Sequence, residues 1–265
     1  MAVTRIARIS LVTANPAASE AFYQDALGFE PIDVRQETGG TRITILRLGQ
    51  ETVELVAYAQ PGRPYPPGST SFDLWFQHCA IVVSSMRDAH ARLRAADGWT
   101  AISTGGPQRL PESSGGVTAF KFRDPEGHPL ELLEFPSGKV PPAWQGRPGD
   151  GPCLGIDHSA IAVSDTAASI RFYEALGFTV AGRSLNQGSE QERLDAAPGA
   201  VVDVTALAIP GAPAPHLELL GYRHPIGRPA PPMRENDVAR TRLVLESDAA
   251  PAVLRDPDGH EILCL

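Results

Sequence analysis

Four side chains stand out for the chemistry they could support and for their placement: His78, Glu131, His158 and Glu218. Each sits in a run of aliphatic residues of the kind that forms a buried or half-buried strand. His158 shares a strand face with Ala160 and Ala162, while Ile161 and Val163 point the other way. His78 shares a face with Ala80 and Val82, Glu131 stands opposite Leu130 and Leu132, and Glu218 opposite Leu217 and Leu219. All four turn from the more aliphatic face towards sides lined in part by small residues, which is what a cavity requires. Polar residues on solvent-facing strand sides share this parity, so for any single residue that reading stands beside the first. Imidazoles and carboxylates on a cavity wall can move protons or offer lone pairs.

Other polar residues read more plainly. His128 and His260 follow DPxG turns and read as turn or pocket-rim residues rather than ligands. His216 lies two residues before Glu218 on the same face and could reach a pocket, but reads as a surface strand position. His90, within RDAHARLRAA, reads as a solvated helix residue. The segment GGPQRLPESSGG, residues 105–116, is a long polar loop that is either a lid or a flexible connection.

The chain that must position these residues is 265 residues long, enough for two compact domains. Its composition, 42% hydrophobic and 20% charged, is that of a globular protein in water. A net charge of −8 without Lys/Arg clusters argues against nucleic acid or an anionic membrane surface as partner. No apolar stretch reaches transmembrane length, and the first residues, MAVTRIARIS, do not read as a secretion signal. Three scattered cysteines, Cys79, Cys153 and Cys264, form no disulfide framework, and a reducing cytoplasm is the expected location.

The organisation is an internal duplication. RISLVTANPAASEAFYQDALGF (8–29) and HSAIAVSDTAASIRFYEALGF (158–178) align on AAS and FY. ELVAYAQPGRPYPP from Glu54 matches ELLGYRHPIGRPAPP from Glu218, and RDPEGHPLELL (123–133) matches RDPDGHEILCL (255–265). Three matches in one order make chance an inadequate explanation. Each copy reads as a pair of βαβββ modules. The first half, 1–140, holds modules at 5–58 and 73–136, and the second, 150–265, holds one at 153–222 and a truncated one at 236–265. Each helix opens at Asn15-Pro16 or an Asp165 cap and closes at Leu-Gly. In the fourth module the chain is too short for the helix and two of the strands.

The first-strand His followed by aliphatics, the FYxxxLGF helix end and the closing DPxGHxxE turn and strand resemble the vicinal-oxygen-chelate superfamily of glyoxalases, bleomycin-resistance proteins and extradiol dioxygenases. The resemblance implies an α+β fold whose modules form curled mixed sheets, two modules to a sheet, each pair enclosing a cavity. It also implies metal ligands at a first-strand His and a later Glu. Carried over, the first-strand positions are Arg8, His78, His158 and Arg240, and the Glu positions are Glu54, Glu131, Glu218 and Leu263. If neighbouring modules pair, neither site holds a full set, and an Arg in place of a His would repel a cation. If the second module pairs with the third, one site holds His78, Glu131, His158 and Glu218 together. All the losses then fall on the other site, where Arg8 is expected to pair with Glu54. That partition favours cross-pairing, with neighbour pairing and a lost metal as the rival.

Two imidazoles and two carboxylates suit a divalent ion such as Zn, Ni, Co, Mn or Fe(II). The resemblance then implies a metal-dependent enzyme of the glyoxalase type, acting on a small molecule with vicinal oxygens by isomerase, lyase or epimerase chemistry. Glu131 or Glu218 would serve as the base. Alternatives are an Fe(II) dioxygenase and a metal-free protein that binds a drug or metabolite. The expected partner is a small-molecule substrate, and a homodimer is compatible with the sequence.

Overall fold

The computed structural model of the chain describes residues 3–147 and 151–265. The first module runs β1 (Val3–Val12), α1 (Pro16–Asp25), β2 (Glu30–Gln36), β3 (Arg42–Leu48) and β4 (Glu51–Ala57). The second runs β5 (Gln77–Val83), α2 (Met86–Ala95), β6 (Thr100–Ala101), β7 (Gln108–Arg109), β8 (Thr118–Arg123) and β9 (Pro129–Glu134). The third runs β10 (Cys153–Ala162), α3 (Thr166–Ala175), β11 (Thr179–Gln187), α4 (Ser189–Asp195), β12 (Val201–Ala208) and β13 (His216–His224). The fourth has β14 (Arg242–Ser247), β15 (Ala252–Arg255) and β16 (Glu261–Cys264). It lacks the helix, as expected, but only one strand: β15 forms from a segment too short to have been read as a strand. The helix α4 was not expected and belongs to the third module alone.

The modules cross-pair. One sheet has the order β15-β16-β14-β1-β4-β3-β2, modules four and one, and the other β11-β12-β13-β10-β5-β9-β8-β6, modules three and two. The sequence halves 1–140 and 150–265 thus each give one module to each sheet. Within every module the first strand runs parallel to the last, and the central seams β1–β14 and β10–β5 are antiparallel. The strands alternate as their sequences imply. Ile81, Leu132, Ile161 and Leu219 of one sheet and Ile9, Leu55, Leu243 and Ile262 of the other enter one shared core, which α1, α2 and α3 complete with Tyr23, Leu93 and Tyr173. The opposite face of the second sheet is thereby left to the candidate residues.

Local signals behave as the sequence suggests. Asn15, Ser85 and Asp165 cap α1, α2 and α3, each side chain accepting a backbone N–H three residues on. After α1 and α3 the chain turns at Gly28 (φ 80°) and Gly177 (φ 105°), a region closed to most side chains.

The repeated FY and DPxGH motifs meet across the two sheets. The Tyr23 hydroxyl of α1 donates to Asp124 at 3.2 Å, and Tyr173 of α3 donates to Asp256 at 3.3 Å. Both aspartates also accept turn N–H groups, from Glu126 and His128 or from Asp258 and His260. His128, a buried residue rather than a rim one, places Nδ1 2.8 Å from Asp124 and Nε2 3.1 Å from the Val238 carbonyl; His260 reaches the Ala162 carbonyl at 2.9 Å. His90 is half-buried with its ring 4.6 Å from that of Phe120, not solvated as expected.

These locks are testable. Replacing Asp124 by Ala orphans four donors at once and should cost about 3 kcal/mol, against about 1 kcal/mol for Tyr23→Phe; urea titration with an unchanged slope measures both. Burial lowers the His128 pKa, but the charge and hydrogen bond of Asp124 outweigh it, and the net shift is upward. Its stabilising contribution is therefore complete below the ordinary histidine value near 6.5 and declines as pH rises through the raised folded value. The stability difference between the wild type and His128→Gln should shrink between pH 6 and pH 9; a constant difference would refute the assignment.

Candidate functional site

The seam β5–β10 creates the site. His78 lies opposite Ala160 and His158 opposite Ala80, so the two imidazoles are diagonal neighbours on one face, ring centres 5.4 Å apart. On either flank a parallel strand supplies a carboxylate: β9 sets Glu131 beside Ala80, and β13 sets Glu218 beside Ala160. The small partners leave the space between carboxylate and imidazole open. The structure thus brings together His78, Glu131, His158 and Glu218, each lining one cavity of about 790 Å³.

Ligand atoms of His78, Glu131 and His158 all lie within 4.8 Å of one another. His78 Nε2 is 2.9 Å from Glu131 Oε2 but outside hydrogen-bond alignment, so both ring nitrogens of this 2%-exposed residue lack a hydrogen bond. Leaving such an atom unmet costs about 1–3 kcal/mol, and a cation between His78 and Glu131 would meet Nε2. Glu218 Oε2 stands 3.5 Å from His158 Nε2 on the other side. His158 Nδ1 is 2.9 Å from Asp157 Oδ2, and Trp144 Nε1 donates to the other Asp157 oxygen at 2.9 Å. A carboxylate behind an imidazole fixes the ring and leaves its far nitrogen for a metal. The donor set fits a divalent ion.

The electrostatics match this asymmetry. Burial holds the His78 imidazole below its ordinary value despite the adjacent Glu131 carboxylate. Burial also opposes charge on His158, but Glu218, Asp157 and Glu131 outweigh it and lift the group to about 9. Burial raises Glu218, yet His158 and His216 overcome this and bring it to about 2. Glu131 is likewise held low, its burial outweighed by His78, Lys121 and His158.

Several site residues escaped the sequence reading. Asp157 should face the core by simple alternation, but a bulge between Ile156 and His158 inserts it as an extra residue beside His158. His216 is not a surface residue. It pairs with His158 across β10–β13, with Nε2 3.5 Å from Glu218 Oε1, at the cavity wall. Lys121 lies between the core residues Phe120 and Phe122, an alternation that could have identified it as facing the cavity. Its Nζ is 2.6 Å from Asp195 Oδ1, at the end of the unexpected α4. The loop 105–116 borders the cavity through Leu110 and Ser114, and is tied to α4 where Arg193 donates to Gln108.

The other sheet holds no comparable set among the described residues. Arg8 pairs with Glu54 at 2.6 Å, as expected. The first-strand position of module four is Arg242 rather than Arg240: Arg242 faces Ser10 across β1–β14, as His78 faces Ala160 across β5–β10. The sequence alignment was short by two residues because the strand starts late. Arg240 and Arg242 both bind Glu261, and Leu263 takes the place of the missing carboxylate. Arg240 and Arg242 outweigh the burial of Glu261 and hold it down at about 2. Cys79, Cys153 and Cys264 are free and buried, and no described helix is long and apolar enough to cross a membrane.

The architecture has known counterparts. Glyoxalase I from Zea mays shares 16% identity with a TM-score of 0.63, over 98% of this chain and 91% of that one, and a variant of that protein reaches 0.66. A candidate dioxygenase from Bacillus subtilis shares 14% identity with a TM-score of 0.62, over 99% of this chain and 86% of that one. At such identities the likeness is one of fold. No curated protein sequence matches. A family match nevertheless covers residues 5–132 and 155–235, spanning three of the four modules and all four candidate ligands. On that match and that fold, the chain belongs to the Glyoxalase/Bleomycin resistance protein/Dioxygenase superfamily.

Proposed function

We propose that this protein is a metal-dependent enzyme of the glyoxalase type, acting on a small molecule with two neighbouring oxygens by proton transfer. One observation carries the reading: two histidines and two glutamates from four strands converge in a buried cavity, with both ring nitrogens of His78 unmet. His78, Glu131, His158 and Glu218 would hold a divalent ion of the Zn, Ni, Co, Mn or Fe(II) kind. When bound, such an ion polarises chelating oxygens and stabilises negative charge that develops when a neighbouring C–H is deprotonated. Glu218 is the better placed base of the two glutamates. It stands outside the His78–Glu131–His158 group, and its side chain is 21% exposed against 8% for Glu131. His216 beside it can accept a hydrogen bond from, or donate one to, the carboxylate as protons move. Asp157 keeps the His158 ring in one orientation, and Leu133, Val204 and Ile209 give the cavity an apolar wall beside the ligand set.

A second reading has its own observation. The group His78, Glu131 and His158, whose ligand atoms lie within 4.8 Å of one another, is two histidines and one glutamate, the facial-triad composition of Fe(II) oxygenases. The metal-free binding alternative gives His78 Nε2, beside the Glu131 carboxylate, no ion to bind.

Two measurements separate these readings. Protein purified without chelator should carry about one divalent ion per chain, lost in both His78→Ala and His158→Ala, since both belong to one site; elemental analysis decides. A metal-free wild type would favour the binding protein. Under Fe(II) loading in air, the proton-transfer reading expects no oxygen uptake with catechols; consumption that disappears in Glu131→Ala would establish the dioxygenase instead.

A further inference from the structure

The cavity has a second polar group that the metal reading does not use. Lys121 is 4% exposed, and its ammonium contacts Asp195 at 2.6 Å. Asp195 also accepts from Gln191 Nε2 at 2.6 Å and from the Tyr222 hydroxyl at 2.8 Å. Asp195 and Gln191 come from α4, which only the third module contains. Lys121, Gln191 and Tyr222 all line the cavity. Lys121 is the cross-strand partner of Glu131, and Tyr222 lies on the Glu218 face of β13, so this group adjoins the ligand set.

Burying an ion pair is costly, and apolar residues of the same volume would often serve stability as well or better. The cluster is also incompletely satisfied. Gln191 Oε1 is buried without a hydrogen-bond partner, while its amide nitrogen is held by Asp195. The charges of Lys121 and Asp195 cancel, so the cluster offers an anion little. It offers instead donors at the Lys121 ammonium, and acceptors at Gln191 Oε1 and the Tyr222 oxygen, whose own proton is committed to Asp195. That combination matches a neutral group that both donates and accepts. The rest of the wall is mainly apolar, with Leu110, Val117, Phe135 and Leu220 among its members.

We infer that Lys121, Gln191 and Tyr222, held by Asp195, form a specificity subsite for a hydroxyl group on an uncharged, apolar-bodied substrate. The inference rests on the metal reading above for where the two chelating oxygens sit. It assigns α4 the task of selecting substrates, and it disfavours substrates whose distal part is anionic. A site built to hydrogen-bond a hydroxyl discriminates against the analogue lacking it, because the buried partners are then left unmet.

The test uses the zinc-loaded full chain and two-oxygen chelating probes: benzohydroxamic acid and its 3- and 4-hydroxy derivatives, titrated calorimetrically. The wild type should bind at least one hydroxylated probe about tenfold more tightly than the parent. Tyr222→Phe and Gln191→Leu should each bring that ratio towards one, with folding checked by circular dichroism and zinc content measured on the same samples. Should one variant fail to fold, the other still decides. Zinc bound with equal affinity for all three probes would overturn the subsite and spare the metal reading. A ratio retained in the folded variants would overturn it as well. Absence of zinc uptake, or binding of none of the probes to the zinc-loaded wild type, would remove the metal reading and this inference together.

Discussion

The antiparallel pairing of β5 with β10 is the constraint on which the site depends. Each strand carries one histidine of the ligand set, and only the seam between the modules brings His78 to His158. The register that sets His78 opposite Ala160 and His158 opposite Ala80 places the rings diagonally, with an alanine across from each. A slip of β5 by one residue would send His78 into the shared core and Cys79 into the cavity, and an equal slip of β10 would do the same to His158 and Ser159. The bulge at Asp157 tightens the same seam, since the inserted residue supplies the carboxylate that orients His158. One pairing therefore determines the ring spacing and the orientation of His158, and the parallel strands on its flanks add the glutamates.

That seam is kept in register by contacts made elsewhere. The buried Tyr23–Asp124 and Tyr173–Asp256 hydrogen bonds each join a helix of one sheet's module to a turn of the other's. The turn before Glu131 is thus fixed by α1, which belongs to a module with no ligand of its own. His260 of module four bonds to the carbonyl of Ala162, at the end of the strand that carries His158. The sheet without the metal-type residues is therefore joined to two of the four site-bearing strands, β9 and β10. It functions as the frame that holds them.

Much of this was legible in the sequence because strand alternation and duplication are both simple periodicities. The parity of His78, Glu131, His158 and Glu218 against their leucine and isoleucine neighbours put them on one side, and the distribution of lost residues over the copies indicated which modules pair. What could not be read has particular causes. Asp157 violates alternation because a bulge is a break in the very period being used. Lys121 carried the right alternation but belongs to a residue type that seldom stays buried, and its partner Asp195 lies on a helix with no counterpart in the other copies. His216 shares the face of Glu218, and parity alone does not separate a strand position at the cavity wall from one at the surface. Arg240 was preferred over Arg242 because nothing in the sequence marks where a strand begins when its helix is missing.

The two sheets show alternative solutions to one electrostatic problem. In both, carboxylates are buried on the concave side and need positive charge nearby. The seven-stranded sheet meets that need with covalently attached cations: Arg8 against Glu54, and Arg240 with Arg242 against Glu261. Guanidinium groups fill the space as well as balance the charge, so such a site is stable and closed. In the sheet of modules two and three the nearest counterpart, Lys121, makes its ion pair with Asp195 of α4 while its charge still lowers Glu131, and histidines and alanines surround the glutamates. Charge balance there falls to protons on imidazole or to a cation from solution, and the space that arginines would occupy stays open. Pairing Lys121 with Asp195 and leaving that space are effects of α4 and of small strand partners, and together they separate a site able to take up an ion from a site that has built one in.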